Sequence, residues 1–87
     1  MEKYIFMYIE TQFFNNKINS FNVSKNAYTT KDDCKNACIE KMKNIANELK
    51  KQSICVKIDE EKLFLSFNRY DYTDLYSYDI KCLTLKE

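Results

Sequence analysis

Cys34, Cys38, Met42, Ile45 and Leu49 recur at spacings of four, four, three and four, with Ala37 and Ala46 on the same side. That is the period of one face of an α-helix. Thr30 stands where an N-cap belongs, with Asp33 three residues later, and Asp32 and Asp33 suit the positive helix end. Lys50 and Lys51 complement the other end. The pattern predicts a helix over 31–52, about 33 Å long at 1.5 Å per residue. It is the chain's only helical signal, and one helix can cover only one face of whatever the remaining residues build.

Those residues read as strands. Residues 3–13 are β-branched and aromatic on both faces, and Asn15-Asn16 is a tight turn into a weaker strand near 18–24. After the helix, Ile54, Val56 and Ile58 alternate with Cys55 and Lys57. A turn at Asp59-Glu60-Glu61 leads to Leu63, Leu65 and Phe67, alternating with Phe64 and Ser66, which completes a hairpin. In the last strand, roughly 77–85, the apolar parity moves from Ile80 and Cys82 to Leu83 and Leu85, which predicts a bulge. The expected fold class is α+β: a single antiparallel sheet of four to five strands, in chain order ββαβββ, with one long helix packed on one face. With 87 residues, no glycine and no proline, one domain spanning 1–87 is expected, and its turns must use the nine asparagines or Asp, Ser and Lys.

The helix is expected to cover Ile5, Met7, Ile9, Ile54, Val56, Ile58, Leu63, Leu65 and Phe67. Alternation then places Tyr4, Phe6, Tyr8 and Phe64 on the opposite face, beside Cys55, Lys57 and Ser66. Unless residues 68–78 fold over these rings, they form an exposed aromatic patch, and large exposed apolar patches usually mark a binding surface. The competing reading is a merely decorated face, since scarce Gly, Ala, Arg and Pro beside abundant Lys, Asn, Ile, Tyr and Phe point to an AT-rich genome.

A second candidate surface is Arg69, Tyr70, Asp71, Tyr72, Asp74, Tyr76, Tyr78 and Asp79, which holds the only arginine. Tyrosine and arginine are enriched in interface hot spots, and aspartates around the rings suit a basic partner. Joined by Asp59, Glu60 and Glu61, the segment would imitate nucleic-acid phosphates. Its plainer reading is an edge strand or loop kept soluble by charge.

Several functions lack their apparatus. No histidine is present, so the commonest general base is missing, and no glycine is available for a phosphate-cradling loop. No catalytic residues, cofactor or enzymatic activity are expected. Cys34, Cys38, Cys55 and Cys82 supply the number of sulfurs for a metal site, but the first two lie on the apolar helix stripe, so core packing is expected and no metal. The longest apolar run, Tyr4 to Ile9, is too short to span a membrane. A cytoplasmic protein with free thiols, mature from Met1, is expected.

Residues 1–58 carry ten lysines against six acids, and residues 59–87 carry seven acids against four bases. This asymmetry concerns partners rather than fold. Direct nucleic-acid binding, by a small binding or regulatory subunit, would use Tyr4, Phe6, Tyr8 and the helix lysines 31, 35, 43, 50 and 51. Asp32, Glu40 and Glu48 interrupt that lysine row, and the net charge is only +1, which makes it the less favoured alternative.

In size and composition the chain resembles the small proteins that phages and mobile elements direct against host defence, including anti-CRISPR inhibitors. The likeness rests on a short, stand-alone, motif-free chain with an acidic tyrosine segment. It implies a protein-binding inhibitor working in the host cytoplasm on a defence nucleoprotein such as a CRISPR-Cas effector, with the acidic tyrosine segment as contact element. A homodimer formed through uncovered sheet faces is a further expectation.

Overall fold

A computed structural model describes residues 2–69 and 72–86. Strand β1 (Glu2–Phe14) turns into β2 (Lys17–Val23), helix α1 (Lys31–Lys51) follows, and β3 (Val56–Asp59), β4 (Phe64–Arg69) and β5 (Tyr72–Lys86) complete the chain. All five strands join one antiparallel sheet in the order β2-β1-β5-β4-β3. The long β1 and β5 are central. The helix links β2 at one edge to β3 at the other, so it must cross the sheet, and it does so over a single face. The fold class and the ββαβββ order expected from the sequence are those observed.

Local chemistry explains the chain's reversals without glycine. Asn15 and Asn16 both take positive φ, 49° and 64°, between the paired Phe14 and Lys17. A two-residue hairpin needs that backbone, and asparagine tolerates it better than other side chains. Asp59 Oδ1 accepts hydrogen bonds from the Glu61 and Lys62 amides and holds the β3–β4 turn. The helix starts as expected: Thr30 Oγ1 accepts from the Asp33 amide at 3.1 Å. It ends with Ser53 N donating to Lys50 O and Ile54 N to Leu49 O, while Ser53 sits at φ 62°. This left-handed C-terminal position is one where glycine has no side-chain clash. Ser53→Gly is therefore expected to stabilise the protein by about 0.5–1 kcal/mol, measured as a higher urea midpoint with unchanged slope.

The core lies between helix and sheet. Cys34, Cys38, Met42 and Ala46 supply the helix side, and Leu63, Leu65, Phe67, Tyr8 and Tyr78 the other. The helical stripe is made mostly of short side chains, so large rings from the sheet fill the space beneath it.

One expectation changes here, and one open alternative is closed. The bulge is not in the last strand: β1 and β5 keep one register from Glu2↔Lys86 to Phe14↔Asp74, and the irregularity lies in the β1–β2 pair at Gln12/Phe13. Ile80 thus packs toward the core while Leu83 and Leu85 point to the other face. Of residues 68–78, the alternative cover for the sheet, the described ones do not fold over it. Those described are the end of β4 and the first half of β5, a central strand.

Candidate functional site

The parity of β1 decides what the open face carries, and it is opposite to the expected one. Tyr8 is 8% exposed in the core, its ring meeting that of Tyr78 edge-on at 5.7 Å, and Phe6 packs against the same cluster. Tyr4 shares their side of the strand but lies near its end and is 55% exposed. Of the four rings expected on the uncovered face, only Phe64 is there, across from Ser77. Ile5, Met7 and Ile9, expected beneath the helix, face the other way.

The cause is a polar anchor under the helix. Glu10, on the same side of β1 as Tyr8, is 5% exposed. Tyr78 Oη donates to Glu10 Oε2 at 2.5 Å, Lys41 Nζ lies 3.2 Å from the same oxygen, and Asn22 Nδ2 donates to Oε1 at 3.3 Å. Lys41 Nζ also stands 5.7 Å from the centre of the Tyr8 ring. A buried carboxylate persists only when so satisfied. Burial, then the hydrogen bond to Glu10 and its charge, pushes the Tyr78 hydroxyl far up. Burial also raises Tyr8, partly opposed by Lys41. Cys38 is pushed up to about 12 by burial and by its neighbour Cys34, itself raised by burial.

The uncovered face is apolar along most of its length. From β1 it receives Ile5, Met7, Ile9 and Phe13, all half-buried by their neighbours. From β2 it receives Ile18, Phe21 and Val23, of which Phe21 and Val23 are 61% and 59% exposed. From β5 it receives Leu75, Leu83 and Leu85. Asp79 and Lys81 sit in the middle of this field as an ion pair of 2.8 Å, across from Ile9 and Met7. The face meets the description of a contact surface better than the aromatic patch expected in its place.

The described residues of the acidic tyrosine segment, 72, 74, 76, 78 and 79, do not gather on one exposed surface. Asp74 is 1% exposed, Tyr78 4%, and Tyr76 packs against the core, its hydroxyl accepting from Gln12 Nε2. Tyr72 and Asp79 are exposed but on opposite faces, Tyr72 stacking obliquely on Phe14. Tyr70 and Asp71 lie outside the described residues, as does the side chain of Arg69. Strand alternation is the reason: residues 74, 76 and 78 point inward together.

Beside the anchor, Tyr8, Asn22, Val23, Lys25, Asn26, Tyr28 and Lys41 line an open cleft of about 410 Å³. The loop carrying Lys25 and Asn26 is held by Ser24, whose Oγ donates to Asn26 O and accepts from the Tyr8 amide. Lys41, one of the cleft's two lysines, is already engaged by Glu10. Among the described residues no group of three or more His, Cys, Asp or Glu side chains gathers to hold a metal: Cys34 and Cys38 are in the core, Cys55 and Cys82 exposed. No described helix is long and apolar enough to cross a membrane.

No protein-family model matches the chain, and no curated protein or solved structure does.

Proposed function

We propose that the protein works by binding, as a small inhibitor that covers part of a host protein or nucleoprotein, in the manner of the phage anti-defence proteins it resembles in size and composition. The observation that carries this reading is the sheet face opposite the helix, where Phe21, Val23, Leu83 and Leu85 remain exposed beside Ile5, Met7 and Ile9. Leaving so many apolar side chains in water lowers solubility without adding to the core, and a partner that buries them gains roughly 25 cal/mol for each Å². The contact element is this apolar face rather than the acidic tyrosine strand, whose Asp74 and Tyr78 support the core. The nucleic-acid alternative loses its stacking platform, because Tyr8 is buried and Phe6 lies under the helix side.

The test compares wild type with Phe21→Ser/Val23→Ser against purified CRISPR-Cas effector complexes, reading target-DNA cleavage, with a gel-shift on single- and double-stranded oligonucleotides at low salt. Expected are inhibition by wild type, at least tenfold weaker inhibition by the variant (about 1.4 kcal/mol), an unchanged melting midpoint at low protein concentration, and no oligonucleotide shift. Equal inhibition by both proteins, no inhibition by wild type across the effector types, or a salt-sensitive shift would overturn the reading.

A further inference from the structure

The uncovered face is suited to one occupant in particular, and the argument rests on reading that face as a contact surface. We infer that in the free protein it is covered by a second copy of the same chain, related by a two-fold axis lying between the two sheets.

Size is the first ground. Thirteen paired positions of β1 and β5 make a face about 44 Å long at 3.4 Å per residue, and three to five strands about 4.8 Å apart give it roughly 700 Å². Standard protein–protein interfaces bury about 600–1,000 Å² from each partner, a range that this face falls within. Sheets that pack face to face lie about 10 Å apart with interdigitating apolar side chains, and the exposed Phe21, Val23 and Leu83 are of the kind that fill such a layer.

Charge is the second, and it selects the partner. Among the described residues, register places on this face only Lys3, Lys57 and Lys81 against Asp59 and Asp79, a balance near zero. Such a face attracts neither a polyanion nor a strongly basic surface, and it does not repel its own copy. Asp59 is occupied by the amides of its own turn. The charges at the centre are Asp79 and Lys81, two residues apart along β5 and 2.8 Å from each other. A two-fold axis running across the strands reverses the strand direction, so it lays Lys81 of each copy over Asp79 of the other. Two internal ion pairs then become one four-membered network between the copies. A self-complementary arrangement of this kind is what an isologous interface requires, and a central charge pair in an apolar layer fixes register rather than adding much affinity.

A consequence follows for the proposed inhibitor. A target that uses this face binds the monomer, so its apparent affinity falls as the chain concentration rises into the dimer range.

The experiment is sedimentation velocity over a wide concentration range on four proteins: wild type, Val23→Asp, Asp79→Lys, and the swap Asp79→Lys/Lys81→Asp. Val23 and Asp79 are exposed, and circular dichroism checks that each variant is folded. A reversible wild-type dimer is expected, weakened at least tenfold by Val23→Asp and by Asp79→Lys, with the swap restoring association because the pairing across the axis is preserved. A wild type that stays monomeric at every concentration overturns the inference, as does a dimer indifferent to Val23→Asp and Asp79→Lys, or a swap that dissociates as fully as Asp79→Lys alone. Should the wild type be monomeric yet lose inhibition with Phe21→Ser/Val23→Ser, the dimer fails and the protein-binding role stands. Should it dimerise as described yet inhibit nothing, the role fails and the dimer stands.

Discussion

Stability is expected to fall by about 1.4 kcal/mol for each pH unit above 9, and more steeply above 10, under reducing conditions. Cys38 ordinarily titrates at 9.0 and is pushed up to about 12 in the folded protein, chiefly because its sulfur is wholly buried. Between those values the unfolded chain releases the proton while the native chain keeps it. The native state then binds more protons, and each further rise in pH favours unfolding. Over that window Cys38 alone withdraws about 4 kcal/mol, a large share of the 5–15 kcal/mol that holds a typical domain together. Above 10.0, Tyr78 and Tyr8 add to the loss in the same direction, Tyr78 through burial and its bond to Glu10. Urea unfolding at a series of pH values checks this. Cys38→Ala should make the slope between pH 9 and 10 shallower, leaving the part that Cys34, also raised by burial, contributes, and a wild-type stability unchanged up to pH 11 would contradict the buried thiols and hydroxyl.

The second large effect separates the two faces of the sheet. Leu65 is fully buried against the helix, so Leu65→Ala is expected to cost about 3 kcal/mol through lost burial and a cavity. Leu83, 47% exposed on the other face, has little to lose in a dilute monomer, and Leu83→Ala is expected to cost less than about 1 kcal/mol. Chemical denaturation at low protein concentration, where association does not contribute, compares the two. Similar costs would mean that the chain covers both faces of its own sheet.

The helix, its Thr30 cap, the Asn15-Asn16 turn and the β3–β4 hairpin were legible because each has a local chemical signature. The register of β1 was not. Tyr4, Phe6 and Tyr8 on one side and Ile5, Met7 and Ile9 on the other are equally apolar, so alternation gives no direction. What decides is long-range: Glu10 needs Lys41, Tyr78 and Asn22, none of which is near it in sequence. One signal was available. A helix stripe containing Cys34, Cys38 and Ala46 is short-sided, and aromatic rings fill the space beneath it better than aliphatic chains. In the acidic segment, even-numbered Tyr72, Asp74, Tyr76 and Tyr78 already alternate with Thr73, Leu75, Ser77 and Asp79, the period of a strand. Its three aspartates suggested a solvated loop or edge instead, and Asp74 at 1% exposure is where composition misleads. Phe64 was placed correctly because its hairpin alternates without ambiguity.

That the sheet has a face its own chain leaves uncovered is most directly tested by methyl NMR with a soluble paramagnetic agent, on protein diluted below any self-association. The methyl groups of Ile9, Val23, Leu83 and Leu85 should be strongly attenuated while that of Met42 and those of Leu65 are spared. Protection of Val23, Leu83 and Leu85 equal to that of Leu65 in the dilute monomer would contradict it.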